Sequence, residues 1–382
     1  MATPKILIYR DRLLPISETF VRDHHDSLIG VEAAMGGLRR VNGVDISHIR
    51  LIVMERERRD PLGISAFKLF GHAPRFMSEI EAFEPDVIHA HFAVDTVDML
   101  PVARRLKVPL IVTLHGYDVT YTDKALRAMG PVGWNFLAKR RALQDEAALF
   151  LPVSDYIRER AIAQNYPEDR TQVHYLGIDA ARFGENRRPS HPPAMLFVGR
   201  LVEKKGLSYL IKAASILSQE NEPFELRIIG DGPLRRECED EARRLGANAT
   251  FLGAQSHDVV IDEMSKATLF SMPRIRSTSG DNEGLPITLL EAQASGLPVV
   301  AFAQGPIFEA VANGITGLLA EEKDVSALAR ALSRLLRDKS LRLTMGSAGI
   351  DRIRSEFDIE KRSFALAELY RRLANTPRDA KT

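Results

Sequence analysis

The sequence predicts an α/β protein built from two doubly wound domains. Apolar runs with the length of strands alternate with amphipathic helical segments, which is typical of parallel sheets with crossover helices. The alternation restarts after residues 184–193, a segment with three prolines and no apolar periodicity, which we interpret as an interdomain linker. The chain has 382 residues, 45% of them hydrophobic, and is therefore long enough to form two cores.

The first domain is predicted to span residues 1–183. Its helices are expected after the first strand, where Ser17 is a candidate N-cap, at Asp95–Arg105, and after Ser154. The predicted strands are Lys5–Tyr9, Val87–Phe92, Leu110–Leu114, Leu149–Val153 and Val173–Leu176.

The second domain is predicted to span residues 194–358, followed by an amphipathic helix within 359–374. Ligands of doubly wound domains bind at the carboxyl ends of the strands, so we expect the two domains to face a central cleft. The predicted strands are Met195–Val198, Glu225–Ile229, Thr250–Leu252, Leu269–Met272 and Val299–Phe302. The predicted helices are Leu207–Leu217, Leu234–Leu245, Asp324–Leu336, Leu341–Ile353 and Glu360–Leu373.

Composition excludes several classes of protein. The formal net charge of +1 argues against nucleic acid as a partner. The amino terminus has no signal-peptide core, and no apolar segment reaches the roughly 20 residues that span a bilayer. Cys238 is the single cysteine, which excludes an internal disulfide and fits a reducing compartment, so we expect a cytoplasmic protein.

Residues 274–296 form a polar loop followed by a helical pattern. Pro286 suits the first helical position, and the apolar spacing after it predicts a helix that stops near Gly296. The backbone N–H groups of Gly284 and Leu285 would then lie at the positive end of a helix dipole, which is a suitable place for a diphosphate.

Two carboxylates bracket this helix start, Glu283 just before it and Glu291 eight residues later. Eight residues is slightly more than two helical turns, so both can face one side. Because carboxylates accept hydrogen bonds from vicinal hydroxyls, they could hold two sugars flanking a diphosphate. The simpler alternative is a solvated acidic helix with a cap.

Further glycine-containing turns follow predicted strands. Gly199 allows a tight turn after the first strand of the second domain, and Arg200 and Lys205 supply positive charge before a helix. Turns at Gly230 and Gly253 follow the next strands and are, alone, ordinary strand–helix junctions.

Together these motifs resemble the family 4 retaining glycosyltransferases of the GT-B fold. The resemblance is carried by Glu283, Gly284, Pro286 and Glu291, together with the Gly199-Arg200…Lys205-Gly206 segment. It implies a hexose transferred from a nucleotide diphosphate sugar to a glycan or lipid-linked saccharide. It also implies that the last helix crosses back onto the first domain.

The resemblance implies a role for each candidate donor-site residue. Arg200 and Lys205 would bind the donor diphosphate in place of a metal ion, so that no metal or other cofactor is expected. Glu283 would contact the transferred sugar and Glu291 the nucleotide ribose, while the loops at Gly230 and Gly253 would approach the nucleotide. His115, in the segment His115-Gly116-Tyr117-Asp118, would bond to the donor sugar near the reacting centre.

The acceptor side departs from many family members, which carry a Gly-Gly loop after the first strand. Here the segment runs Ser17-Glu18-Thr19-Phe20, a form that resembles transferases of bacterial exopolysaccharide and colanic-acid assembly. We assign Ser17, Glu18 and Asp118 to the acceptor side, and we expect a structural or acceptor-side role for His91. His89 and His91 could suggest a metal, but no third ligand is evident.

Two other functions remain open, a catalytically silent sugar-nucleotide-binding subunit and a dinucleotide-dependent oxidoreductase. The oxidoreductase lacks support because neither first strand is followed by Gly-x-Gly-x-x-Gly. Residues 62–80 have two interpretations, core helices, which we favour, or an amphipathic patch for peripheral contact with the inner face of the plasma membrane. Leu69, Phe70, Phe76, Met77 and Ile80 are its large apolar residues.

Overall fold

A computed structural model of the chain describes residues 3–15, 18–55, 60–184, 187–221, 223–276 and 283–375. The chain divides into two compact units, Met1–Gly177 with Ile359–Thr382 and Ile178–Asp358. Each unit contains a parallel sheet with helices between its strands, as the sequence predicts.

The first unit is built on a parallel sheet in the order β2-β3-β1-β5-β6-β7, with β4 also paired to β3. Its strands β1 to β7 are Lys5–Tyr9, Arg12–Leu13, Glu32–Arg40, Leu51–Glu55, Val87–His91, Leu110–Leu114 and Leu149–Pro152. Its helices α1 to α9 are Thr19–Asp26, Pro61–Phe70, Pro74–Phe83, Ala93–Thr96, Leu100–Leu106, Tyr117–Thr120, Asp123–Ala128, Pro131–Glu146 and Asp155–Ala163. Strands β5, β6 and β7 are buried along their whole length, which explains the nearly continuous apolar sequences of β6 and β7.

The second unit has a parallel sheet in the order β10-β9-β8-β11-β12-β13. Its strands β8 to β13 are Ala194–Val198, Glu225–Ile229, Ala249–Gly253, Leu269–Ser271, Val299–Phe302 and Gly317–Ala320. Its helices α10 to α16 are Leu207–Gln219, Arg235–Leu245, His257–Lys266, Ile287–Ala294, Ile307–Ala310, Val325–Arg337 and Lys339–Glu356. The strand order reverses between β8 and β11, so the loops after these two strands lie at a topological switch point.

The last helix, α17 at Ile359–Ala374, belongs to the first unit. Leu366 and Tyr370 are buried in the same apolar cluster as Val21 of α1 and Leu151 of β7. Ser363 bonds to Ser27 at 2.5 Å, and Arg371 donates to the carbonyl oxygen of Ile29 at 3.0 Å. The helix therefore contributes to the core that surrounds β1, β5 and β7.

Within the segment predicted as a linker, residues 187–193 lie in the second unit and contact it through arginine side chains. Arg187 donates to the carbonyl oxygens of Ala267 and Ser295, and Arg188 pairs with Asp262 at 2.7 Å. The division between the units falls after Gly177. The prolines end regular structure here, but side-chain contacts fix the segment in place.

Two secondary-structure predictions in the first unit are also corrected. Residues 173–176 do not form a strand; a single bridge pairs Thr171, just before them, with Phe150. The helix predicted over residues 95–105 is split into α4 and α5, with Pro101 in the first turn of α5. A proline favours the first turn of a new helix because its missing N–H has no partner to lose there.

Candidate functional site

Backbone hydrogen bonds join the glycine turns at the carboxyl edge of the second sheet. The N–H of Gly199 donates to Ile229 at 3.0 Å, and the N–H of Gly230 donates to Gly253 at 2.8 Å. Gly230 has φ +139°, and a Cβ there would lie 1.9 Å from the carbonyl oxygen of Gly199. Only glycine fits this approach, and the three predicted donor-site turns are therefore adjacent.

Glu283 lies in a cluster of positive charge. Its Oε1 is 3.0 Å from Nζ of Lys205 and 3.6 Å from Nζ of Lys204, and Arg274 also pairs with it. The structure therefore brings together Lys205 and Glu283, as predicted. Among the described residues the cluster thus combines three cations with one carboxylate, and cations grouped in this way attract an anion.

Arg274 and Lys204 are members of this cluster to which sequence reasoning gave no role. Arg274 is only 1% exposed, although arginine is rarely fully buried without a partner. It follows strand β11 by three positions and lies at the switch point of the sheet. A basic residue just after an apolar strand, next to the Glu283 loop, was a signal available in the sequence.

Arg200 has an exposed side chain. Within the described residues it makes no ion pair, and it lies two positions after the end of β8. Its guanidinium is therefore accessible to an anion from solvent.

Helix α13 begins at Ile287, one residue later than predicted, with Pro286 in the N-cap position. Gly284, Leu285 and Pro286 are buried. The helix ends at Ala294, and Gly296 has φ +70°, as expected of a glycine that terminates a helix.

Glu291 has different partners from Glu283. It is 7% exposed, and its Oε1 lies 2.9 Å from Nε2 of His257 in α12. The described contacts thus place the two carboxylates in separate groups, Glu283 among cations and Glu291 beside a histidine.

In the first unit, His115 follows strand β6 directly. It is partly exposed, and its ring packs against Phe20 and Phe92, with centroid distances of 4.9 and 4.4 Å. Gly116 has φ +142°, which permits the sharp turn after His115. Burial lowers the pKa of His115 well below its usual value, and the nearby positive charge of Arg10 lowers it further. The ring is therefore neutral at pH 7.

The predicted acceptor-side residues are mostly buried. Asp118 is fully buried and accepts hydrogen bonds from the N–H groups of Ala93, His115 and Gly116 at 3.1, 3.3 and 2.8 Å. Burial raises its pKa, and these backbone bonds oppose the rise. Asp118 thus ties the loop after β5 to the loop after β6, which favours a supporting role over direct contact with an acceptor.

Glu18 and His91 also have hydrogen-bond partners inside the first unit. Glu18 accepts two hydrogen bonds from Arg10, at 2.8 and 2.7 Å, and Arg10 also pairs with the buried Asp95. His91 is 1% exposed and bonds to His115 at 2.8 Å. These contacts position the β1 loop and His115, and the assignment of Glu18 and His91 to the acceptor side stays a prediction. Ser17, the fourth predicted residue, lies outside the described residues.

The described residues can also be assessed for metal-binding groups and for helices that could span a membrane. Across the residues described, no group of three or more His, Cys, Asp or Glu side chains is arranged to hold a metal ion. In the same part of the chain, every helix is too short or too polar to cross a bilayer.

Family comparisons match both units. Residues 31–182 match the sequence model of Glycosyltransferase Family 4, and residues 179–352 match that of Glycosyl transferases group 1. The chain is similar in fold to Anabaena Alr3699/HepE in complex with UDP and glucose, with a TM-score of 0.76 and 20% identity over 97% of this chain and 100% of that one. The protein is therefore a member of the glycosyltransferases of the GT-B class, with two parallel-sheet α/β domains. Within this class it belongs to family 4.

Two curated relatives are named as biosynthesis glycosyltransferases. The amylovoran biosynthesis glycosyltransferase AmsK of Erwinia amylovora is 33% identical over 59% of this chain and 56% of its own length. WcaL of Salmonella typhimurium, named for colanic acid biosynthesis, is 32% identical over 67% of this chain and 63% of its own length. The chain thus spans less than two thirds of either relative.

Proposed function

We propose that the protein is a retaining glycosyltransferase. It moves a hexose from a nucleotide diphosphate sugar to a glycan or lipid-linked saccharide during synthesis of a bacterial exopolysaccharide or other surface polysaccharide. The observation that carries the proposal is the cluster of Lys204, Lys205 and Arg274 around Glu283, beside the joined glycine turns. The names of AmsK and WcaL support the pathway, and the complex of HepE with UDP and glucose supports a nucleotide sugar as the donor.

In this proposal the second unit binds the donor. Lys205 and the exposed Arg200 neutralise the diphosphate as it departs, which is the work of a metal ion in other transferases. The N-terminal end of α13 adds the positive end of its dipole. A metal-independent reaction is therefore part of the proposal.

Sugar contacts are assigned to Glu283 and, in the first unit, to His115 on the family resemblance. No protein nucleophile is invoked. The acceptor hydroxyl attacks the anomeric carbon on the face that the diphosphate leaves, and a phosphate oxygen accepts the hydroxyl proton. The bond to the leaving oxygen breaks as the new glycosidic bond forms, so the anomeric configuration is retained.

The direct test is incubation of the protein with UDP-, GDP- and ADP-sugars, in the presence of EDTA, followed by mass spectrometry of the nucleotide products. Release of a nucleoside diphosphate from one donor is expected, and Arg200→Ala with Lys205→Ala should abolish it. Ligand-induced thermal shift without turnover would support the silent binding subunit instead. A shift with NAD alone would support the oxidoreductase.

Peripheral contact with an anionic membrane is the second proposal, and it rests on helix α2. Leu62, Leu69 and Phe70 are 83%, 62% and 78% exposed, whereas Phe76, Met77 and Ile80 of α3 are buried. The core interpretation of residues 62–80 is therefore correct for α3 and wrong for Leu69 and Phe70. A lipid-linked acceptor is held in a membrane, and an exposed apolar helix face would bind the surface of that membrane.

Cosedimentation with phosphatidylglycerol vesicles tests this contact. The variant with Leu62, Leu69 and Phe70 replaced by serine should lose binding, while the control Phe364→Ser, at a residue that is 66% exposed on α17, should keep it. Equal binding by both variants would contradict the proposal.

A further inference from the structure

Histidines in the first unit form one continuous chain of hydrogen bonds, which ends at the partly exposed His115. Nε2 of His115 is 2.8 Å from Nδ1 of His91, and Nε2 of His91 is 3.2 Å from Nδ1 of His24. Nε2 of His24 is 2.9 Å from the hydroxyl of Tyr370. The chain therefore runs from the loop after β6 to helix α17.

The chain continues beyond Tyr370 to a buried threonine. The Tyr370 hydroxyl is also 2.5 Å from Nδ1 of His89, and Nε2 of His89 is 2.6 Å from Oγ1 of Thr113. In His24, His89 and His91, both ring nitrogens therefore form a hydrogen bond within the chain. His89, His91 and Tyr370 are at most 1% exposed, so water does not replace these partners.

All four rings are neutral at pH 7, because burial lowers each pKa, that of His24 to about 3. A neutral imidazole has one N–H donor and one acceptor nitrogen, and a tyrosine hydroxyl between two rings donates to one and accepts from the other. Every hydrogen bond in the chain must therefore point the same way. Only two arrangements satisfy this condition, and they differ in which nitrogen of His115 carries the proton.

Thr113 selects between the two arrangements. It is 4% exposed, and His89 is its hydrogen-bond partner among the described residues. If His89 donated to Thr113, the threonine O–H would be buried without an acceptor among the described residues, which is unfavourable. Thr113 therefore donates to His89, His89 to Tyr370, Tyr370 to His24, His24 to His91, and His91 to His115. Nε2 of His115 is then the acceptor, and Nδ1 carries the proton.

We propose that Tyr370, His24, His89, His91 and Thr113 are positioning residues that fix His115 in its Nδ1–H tautomer, presenting an N–H donor. Nδ1 of His115 has no hydrogen-bond partner among the described residues, so this donor is available to a ligand oxygen. The inference deepens the proposed function, on which the sugar contact of His115 rests, because it specifies what His115 offers to a sugar hydroxyl. It also gives the C-terminal helix a role beyond packing.

Imidazole 1H–15N NMR of the full chain, labelled at histidine, tests the arrangement without any substrate. The spectrum of His115→Ala identifies the signals of His115. In the wild type we expect Nδ1 of His115 to be protonated and Nε2 to give the signal of an unprotonated ring nitrogen. The reverse assignment would overturn the proposed direction.

Tyr370→Phe tests the coupling, because it keeps the ring and removes the hydroxyl that joins the two halves of the chain. We expect the His115 signals to shift towards a mixture of tautomers. The control is Tyr166→Phe, since Tyr166 is 3% exposed and its hydroxyl has no hydrogen-bond partner in the described structure. Unchanged His115 signals in a folded Tyr370→Phe protein would overturn the coupling.

Thr113 provides a second and independent pair of variants. Thr113→Val preserves shape but removes the terminal donor, so the preference for Nδ1–H at His115 should weaken, whereas Thr113→Ser should restore it. Equal His115 spectra in these two variants would overturn the role of Thr113.

Kinetics then separate this inference from the proposed function. Tyr370→Phe should lower kcat for sugar transfer about tenfold, the scale of losing a group that orients a functional histidine, with little change in KM for the donor. If the NMR results hold but His115→Ala retains full turnover, the positioning chain stands and the catalytic assignment of His115 fails. If His115→Ala is inactive but Tyr370→Phe leaves tautomer and kcat unchanged, the positioning chain fails alone.

Discussion

Nζ of Lys205 lies 3.0 Å from Oε1 of Glu283, and this ion pair joins the loop after β8 to the loop that precedes helix α13. A lysine that already neutralises a carboxylate is a weaker anion ligand than a free lysine. Glu283 therefore controls how much of the positive charge of Lys204, Lys205 and Arg274 is available to a phosphate.

The first prediction concerns Glu283→Gln, which removes the negative charge and keeps the shape. Turnover of the donor sugar should fall about 100-fold, the scale expected for losing one preorganised electrostatic group. Affinity for the nucleoside diphosphate product should be unchanged or higher, since three cations lose their shared partner. Calorimetric titration and a turnover assay measure the two effects.

The matched control is Glu239→Gln, at a glutamate of α11 that pairs with Arg235. It should leave both quantities unaltered. Full turnover by Glu283→Gln or by Glu283→Ala would remove Glu283 from the mechanism.

The second prediction concerns Cys238, which is 4% exposed in α11. Burial raises the pKa of its thiol to about 11, with the neighbouring glutamates adding to the rise, so almost no reactive thiolate exists at pH 7.5. The native protein should not react with Ellman's reagent, and one thiol per chain should react in urea. Rapid reaction of the native protein would show that Cys238 is accessible. A protected thiol would report the unfolding of the second unit.

The third prediction uses this thiol to measure Gly206→Ala. Gly206 has φ +71°, and a Cβ there would lie 1.8 Å from the carbonyl oxygen of Pro273, a backbone atom that cannot rotate away. The free energy of unfolding of the second unit should fall by at least about 3 kcal/mol, from the left-handed backbone together with the clash. Cys238 labelling along a urea gradient measures the loss.

Gly246→Ala separates those two contributions. Gly246 has φ +64°, but a Cβ there would meet nothing within 4 Å. It should cost only about 1–2 kcal/mol, the penalty for a left-handed alanine. Equal losses at Gly206 and Gly246 would show that the contact with Pro273 relaxes freely.

The sequence predicted elements well where local pattern and burial agree. Lys5–Tyr9, Leu110–Leu114, Glu225–Ile229 and Val299–Phe302 match the observed strands to the residue. Strand β3 was not predicted, and Gly36 and Gly37 in its middle are residues that favour loops over strands. The structure needs glycine there, since a Cβ on Gly37 would lie 2.7 Å from the carbonyl oxygen of Arg10. Close packing by a distant segment overrides local propensity.

The candidate site also has one part that the sequence predicts and one part that it does not. The proximity of Lys205 and Glu283 could be predicted because a motif brings both to one edge of one sheet. The histidine chain could not, since His24 and Tyr370 are 346 positions apart and neither lies in a recognisable motif. Local sequence gives no sign that helix α17 places a hydroxyl between two histidines.

The pH dependence of stability provides the last prediction, because the first unit buries several neutral histidines. The pKa of His24 is about 3 and that of His174 about 4, both lowered chiefly by burial. In the unfolded chain a histidine titrates near 6.5, so between pH 6.5 and 4 the unfolded state binds more protons than the folded state. The stability that these rings contribute is therefore complete above pH 6.5 and is lost as the pH falls.

From pH 7.5 to pH 5, His24 alone should lower the free energy of unfolding of the first unit by about 2 kcal/mol. The single tryptophan, Trp134 in α8, reports that unit, so its fluorescence in urea at several pH values measures the slope. His24→Gln should flatten the slope by that amount, because glutamine takes up no proton on unfolding. Equal slopes for wild type and His24→Gln would mean that His24 gains a proton without unfolding, and the buried chain to Tyr370 would then be open to water.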